Sequence, residues 1–253
     1  MTAAIARDAT DFTELVASTA DWAEQAGPEQ ILSWAVENFH PRMAVSCSFG
    51  NPDGLVLIDM LHRIVPGLRV YTLDTGRLPQ STYDLIDRVR DRYGVNVEVI
   101  YPDADAVQKL VREHGMNLFY ESLEKRQLCC RVRKVEPNRR YLATLDAHVT
   151  GLRRTQNVTR AGVAKIELEQ GERLVKVNPL VDWSGAQVWD YVRKNGVPVN
   201  RLHAEGFPTV GCMPCTRAVK PGEDVRAGRW WWEQAETKEC GMHSPSEQDG
   251  SGI

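Results

Sequence analysis

The chain has 253 residues, 42% hydrophobic and 26% charged, with a formal net charge of −3, an ordinary balance for a soluble globular protein with one substantial core. That charge excludes the broad basic field that nucleic-acid binding draws on, and no apolar run approaches the length of a membrane-spanning helix. The start, MTAAIARDATDFTEL, lacks the basic-then-apolar layout of a secretory signal. The expected compartment is therefore the cytoplasm, where six cysteines need a purpose other than stable disulfides.

Amphipathic spacing predicts helices over 11–24 and 28–39, the second opening on Pro28 in a first-turn position. RMAVSCSF (42–49) reads as a buried strand, and GNPDGLVLIDMLHRI as a turn entering a helix. LRVYTLD (68–74) is a second strand, followed by a helix from Pro79 to about Tyr93. VNVEVIY (95–101) is a third strand, with a helix over about 103–114. Residues 133–144 read as helical and DAHVTGL (146–152) as a fourth strand. VAKIELEQGERLVKVNPL (163–180) reads as a hairpin turning at Gln170-Gly171. Ser184 caps a helix over about 185–194 that stops at Gly196. Alternating strands and helices predict an α/β fold: a Rossmann-like, doubly wound, mostly parallel sheet flanked by helices, with ligands beyond the carboxyl ends of its strands. The expected organisation is a single domain over 1–243. It comprises the N-terminal helices (11–39), a nucleotide-binding core (about 42–200) and a mobile C-terminal catalytic segment (about 221–243), before a disordered polar tail at 244–253.

Cys129 and Cys130 are adjacent, and Cys212 and Cys215 form a C-x-x-C pair. Four thiolates can hold a structural zinc or an iron–sulfur cluster. The plainer reading is two unrelated features, buried thiols at 129–130 and a redox dithiol at 212–215. Zinc is the commoner guest of an all-thiolate site, whereas neighbouring ligands suit a cubane, which offers each sulfur its own iron. Arg131, Arg133 and Lys134 follow at once. They would offset the thiolate charge, although for both arginines a solvated helix face is the simpler reading.

Downstream, KECGMHS holds Cys240, an incidental surface thiol or a nucleophile that Lys238 or nearby arginines would favour as thiolate. Ser46, Ser48 and Gly50 leave the first strand at a helix N-terminus and suit an anion. LDTGR (73–77) ends the second strand at the same edge. Arg153, Arg154 and Arg160 follow the fourth strand as a candidate phosphate or sulfate clamp, and Arg226 and Arg229 precede Cys240. Trp230, Trp231 and Trp232 read as the anchor of the tail. No histidines have metal-ligand spacing; His203 reads as structural and His243 as orienting the tail.

Taken together, S-x-S-x-G at 46–50, LDTGR, CCRVRKVEP, TGLRRTQ with Arg160, GCMPC and ECGMH make the chain resemble the assimilatory sulfonucleotide reductases, specifically the iron–sulfur adenylylsulfate (APS) reductases. The match runs from Ser46 to His243, and C-C…C-x-x-C with a terminal E-C-G-x-H is its most specific part. The resemblance implies an adenine-nucleotide alpha-hydrolase-like fold. It implies one [4Fe–4S] cluster per subunit on Cys129, Cys130, Cys212 and Cys215, Cys240 as nucleophile, and Lys134 as a link from cluster to substrate. Arg160, Arg226 and Arg229 would surround the phosphosulfate. Ser46, Ser48, Leu73 and Arg77 would lie in nucleotide-contacting segments, and Gly50 of the anion loop, Arg153 of the arginine clamp and His243 of the tail are also expected to bind substrate. The implied reaction is reduction of APS to sulfite and AMP with thioredoxin as reductant, in sulfate assimilation and cysteine biosynthesis. No flavin, nicotinamide, nucleic acid or membrane takes part, and a homo-oligomer is left open. The alternatives are reduction of the 3′-phosphorylated nucleotide (PAPS), alone or alongside APS, and a non-catalytic Fe–S nucleotide sensor. Cys47 inside the loop and Met242 in the tail depart from the family pattern, and the loop differs from the ATP-using S-G-G-x-D-S, which argues against pyrophosphatase chemistry.

Overall fold

The structure is a computed structural model that describes residues 12–156, 160–169 and 173–233. Among them a six-stranded sheet runs in the order β3-β2-β1-β4-β6-β5, formed by β1 Met43–Ser46, β2 Arg69–Leu73, β3 Asn96–Ile100, β4 Ala147–Val149, β5 Ile166–Glu169 and β6 Leu174–Val177. β1 pairs in parallel with β2 and β4, β2 with β3, and β4 with β6; only β5 is antiparallel, on β6. Hydrophobic strands such as Met43-Ala44-Val45 and Ala147-His148-Val149 are buried on both faces because helices cover them. The order reverses direction at β1 and β4, so the loops leaving these strands open a crevice at the carboxyl edge.

The predicted helices form as α1 Thr13–Gln25, α2 Pro28–Phe39, α3 Pro52–Leu61, α4 Gln80–Tyr93 and α5 Ala104–His114. Every residue of α3 is buried, which its apolar run VLIDML demands. The two carboxylates this buries find partners: Asp53 pairs with Arg153 at 2.5 Å, and Asp59 accepts from Tyr93, Tyr191 and Arg63 at 3.0, 2.8 and 2.7 Å. Helix α8, Gly185–Asn195, opens on a capping box between Ser184 and Gln187 and stops at Gly196 in the left-handed conformation, φ +61°, as the sequence predicts. The hairpin forms too, with its turn at 170–171 outside the described residues.

One helical region differs from expectation. Helix begins at Leu123, on a Ser122 hydroxyl that accepts from the Lys125 amide at 3.2 Å, well before residue 133. It runs as α6 Leu123–Cys130, widens into a π-helical stretch over Arg131–Val135, and continues as α7 Glu136–Leu142. The cysteine pair therefore lies inside a helical run that begins before it and continues beyond it, as expected for 133–144.

The main core fills the face of the sheet carrying Ile31, Leu32, Leu55, Leu57, Val45 and Val177. A second cluster packs Tyr141, Leu142 and Leu145 of the α7 region on Ala44 and Tyr71. A third, separate cluster joins Leu110, Leu118, Phe119, Val132 and Trp230 to Cys129 and Cys215. That satellite core carries the site.

Candidate active site

The helical face explains the adjacent cysteines. Arg126, Cys129, Cys130, Arg133 and Lys134 recur at steps of three and four, the spacing that puts side chains on one side of a helix. All five line one small pocket with Cys212, Cys215, Arg77 and Phe119. A π-helical stretch inserts an extra residue into a turn and is found disproportionately at functional sites; here it lies between the thiols and Asn138.

The other two thiols arrive from the opposite end of the chain. Cys212 precedes a single turn of 3-10 helix, Met213–Cys215, and the Met213 amide donates to the Arg77 carbonyl at 2.8 Å. The Thr75 hydroxyl lies 3.2 Å from the Cys212 sulfur. The loop leaving β2 thus holds the C-x-x-C turn against the cysteine pair. Residues 228–230 then run back alongside 215–217, with Arg217 N to Gly228 O at 2.9 Å and Trp230 N to Cys215 O at 3.3 Å. This pairing brings Arg226, Arg229 and Trp230 to the mouth of the crevice.

Burial pushes the Cys215 thiol up to about 12, with Cys212 adding repulsion against the pull of Lys134 and Arg229. Cys129 is raised as well, chiefly by burial, against the pull of Arg133. Four thiols collected in one pocket, three of them buried, suit ligation better than free reactivity. Cys47 is also held up to about 12 by burial. Its sulfur would lie 2.9 Å from a Cβ at Gly54, so it is a packing residue of the β1–α3 loop.

Beside the thiol pocket lies a cleft of about 630 Å³ lined by Ser46, Ser48, Lys134, Arg153, Arg160, Arg226 and Arg229, among others. Among the described residues, Lys134 is the one that lines both spaces. The Arg229 guanidinium lies 4.7 Å from the Trp230 ring centroid and fills the space where a Cβ at Gly211 would stand, 2.6 Å from its nitrogens. Its Nε is buried with no hydrogen-bond acceptor, as is that of Arg160, although Arg160 Nη1 donates to Gln156 Oε1 at 2.5 Å. Both arginines line the same cleft, so their guanidinium groups put positive charge on one wall of it.

The remaining expected residues divide. Gly50 packs under the cleft; a Cβ there would sit 2.3 Å from the Val210 carbonyl oxygen, which requires glycine for this close approach. Leu73 ends β2 beside the α7 core and does not line the cleft. Arg77 is turned to the thiol pocket, donating to the Met116 carbonyl with its guanidinium 5.1 Å from the Phe119 ring centroid. Arg153 lines the cleft but is engaged by Asp53. Arg154 leaves the three-arginine clamp altogether, pairing with Asp182 and Glu24 near α1. Arg131 is exposed and Arg133 is buried, donating to the Thr75 carbonyl at 2.7 Å, so the solvated-face reading holds for the first and fails for the second. Cys240 and His243 lie outside the described residues. The tryptophans do anchor the segment: Trp232 meets Tyr120 edge-on at 4.5 Å and Trp231 at 4.8 Å.

The profile of the phosphoadenosine phosphosulfate reductase domain matches residues 42–218, a span that includes Lys134 and all four pocket thiols. The chain belongs to that family. It is 50% identical over 204 residues to an adenosine 5′-phosphosulfate reductase of Burkholderia cepacia, covering 81% of each chain. It is also 50% identical over 196 residues to one of Allochromatium vinosum, covering 78% of this chain and 76% of that one. In fold it is similar to the crystal structure of the phosphoadenylyl-sulfate (PAPS) reductase from Candida auris in its phosphate complex, with a TM-score of 0.68 and 27% identity over 86% of this chain and 100% of that one.

This sulfonucleotide reductase family member carries cleft residues that sequence reading missed. His148 on β4 bonds Glu169 on β5 at 3.0 Å, and Lys176 on β6 bonds Glu167 and Glu169 at 2.9 and 2.8 Å. Burial alone would raise the Glu169 carboxyl, but His148 and Lys176 hold it down at about 2. Tyr71 donates to Asn138 at 3.1 Å, one helical turn beyond Lys134. The available signal was the alternation in KIELE and LVKV, which puts both glutamates and Lys176 on one sheet face. No helix among the described residues is long and apolar enough to cross a membrane.

Proposed function

We propose that the chain reduces APS to sulfite and AMP, with Cys240 as nucleophile and a thioredoxin-type dithiol as reductant. The observation that carries this reading is Lys134, which lines both the four-thiol pocket and the cleft that holds Arg160, Arg226 and Arg229. A substrate with a charged phosphosulfate needs such a basic wall. A nucleophile brought from outside the wall needs the leaving phosphate neutralised from within it.

The residues that would hold an iron–sulfur cluster are Cys129, Cys130, Cys212 and Cys215. Their chemistry fits: four thiols, three of them buried and Cys212 partly so, share one pocket with Arg77, Arg126, Arg133 and Lys134, and Thr75 offers a hydroxyl to Cys212. Adjacent ligands at Cys129 and Cys130 suit a polynuclear group, which offers each sulfur its own iron, better than a single zinc. Bound there, a cluster supplies a compact anionic charge that fixes the ammonium of Lys134 beside the substrate.

The Cys240 thiolate attacks the sulfur of APS, forming an S–S bond to the sulfonate while the bond from that sulfur to the phosphate oxygen breaks. AMP departs with the negative charge, which Lys134 and the arginines stabilise. One thiolate of the dithiol then attacks the Cys240 sulfur and releases sulfite. Its second thiol resolves the mixed disulfide, so both electrons come from the dithiol. The test incubates the purified protein with APS and reduced thioredoxin and follows AMP and sulfite in equal amounts. Failure to form either with APS while PAPS is consumed transfers the reading to the phosphorylated nucleotide; no product from either leaves a nucleotide-binding sensor.

Gly211→Ala probes the anion wall separately. The added Cβ meets the movable end of Arg229, so the fold should keep its stability while the guanidinium is displaced. AMP binding, read by titration calorimetry, should weaken about tenfold, the worth of one charge-assisted bond.

A further inference from the structure

Arg126 is buried to 1% exposure, and its partner Glu233 has a side chain only 7% exposed. The guanidinium donates through Nε to Glu233 Oε1 at 2.9 Å and through Nη2 to Oε2 at 3.1 Å, a bidentate fork. The same guanidinium lies 4.7 Å from the ring centroid of Trp230 and is hydrogen-bonded to the Cys130 side chain. Arg126 sits one turn before Cys130 on α6, on the face that lines the thiol pocket. Glu233 is the last described residue before the C-terminal segment, and Cys240 follows it by seven residues, a reach of at most about 25 Å.

The two residues are 107 positions apart; Arg126 lines the thiol pocket, but Glu233 lines neither that pocket nor the cleft. Fastening the segment does not require them. Trp232 already packs on Phe119 and Tyr120, and Trp230 is 2% exposed in the satellite core. A buried ion pair is a poor source of net stability, because desolvation offsets most of its attraction. What a bidentate fork adds over apolar packing is direction. Direction is under demand here, since Trp230 has φ +40°, a conformation that bulky residues avoid unless their surroundings impose it.

We propose that Arg126 and Glu233 form a positioning pair: they tie the root of the segment bearing Cys240 to the helix bearing Cys129 and Cys130, and so set where that thiol meets the substrate. The inference rests on the reading of Cys240 as nucleophile. Because Arg126 also touches Cys130, the tie makes the approach of the nucleophile depend on an intact thiol pocket.

The test uses Glu233→Gln in the full-length, cluster-loaded protein, since the amide keeps the shape and one acceptor for Arg126. Capture of radioactive sulfur from APS in a single turnover should slow by about tenfold or more, the scale of small misplacements of a reacting group. Iron content and AMP affinity should stay at wild-type values. Tryptic cleavage after Lys238 should quicken. Glu233→Asp, which restores the charge on a shorter arm, should recover part of the capture rate. Wild-type capture in Glu233→Gln overturns the proposal. So does a loss of rate that only tracks loss of iron or AMP affinity, or an Asp variant no better than Gln. Cys240→Ser run in parallel separates the two readings: label retained in that variant sinks the nucleophile, whereas no label there with full-speed capture in Glu233→Gln sinks only the pair.

Discussion

Cys240→Ser is expected to abolish sulfite formation and the retention of labelled sulfur from APS, lowering turnover by roughly 10³-fold or more, as loss of a covalent nucleophile does. The reacting species is a thiolate, and a serine hydroxyl at neutral pH offers almost no alkoxide and no sulfur for the dithiol to attack. Three of the four pocket thiols are poor substitutes: Cys129, Cys130 and Cys215 are buried at 8% exposure, and burial holds the Cys215 thiol at about 12. AMP affinity should remain, because the described residues of the basic wall, Lys134, Arg160, Arg226 and Arg229, are untouched. Gel separation of protein after incubation with labelled APS reads the first expectation, and calorimetry with AMP the second. Label on the serine variant would move the nucleophile elsewhere.

Cys215→Ser should cost the protein both its iron and much of its stability. Cys215 belongs to the satellite core with Leu110, Phe119 and Trp230, and its carbonyl accepts from the Trp230 amide. Binding energy of a group held by folded ligands is folding energy. Loss of even about 2–3 kcal/mol lowers the melting temperature by about 5–10 °C in a chain of this size. Cys47→Ala is the control: that thiol is buried still more deeply but packs against Gly54, so its iron content should equal the wild type. Iron measured per chain, with calorimetric melting of both variants, decides the matter. Full iron in Cys215→Ser, or zinc in the wild type, would remove the cluster from the proposal.

How much could be read from the chain alone depended on distance along it. The alternation of strands and helices and the Ser184 cap are local patterns, and outside the helical run that starts at Leu123 their elements end within about three residues of the expected bounds. The β5–β6 hairpin was legible as a turn, yet its consequence was not. His148 reaches Glu169 only through the register of β4 on β6 and of β5 on β6, which no spacing encodes. Arg153 and Arg154 are indistinguishable as letters, but successive side chains diverge: one meets Asp53 under the cleft, the other Asp182 and Glu24 away from it. Arg77 was assigned to the nucleotide by resemblance to the family, and it turns instead to the thiol pocket, where its carbonyl accepts from the Met213 amide of the C-x-x-C turn. The pairing of Arg126 with Glu233 had no signal at all. Two ordinary charges over a hundred residues apart become specific only once both are buried.

The wide turn over Arg131–Val135 has a further meaning for how such a protein can change. An α-helix advances 100° per residue, so removing one residue there and restoring regular winding would rotate everything downstream by about that angle relative to the cysteines. Asn138, Tyr141 and Leu142 would leave their partners on the sheet face, and with them would go the seat of the helix. The extra residue works as a phase shifter: it lets one continuous rod obey the spacing of a thiol pocket at one end and that of a β-sheet at the other. Point substitutions can tune either end independently, but a change of length between them would have to satisfy both at once.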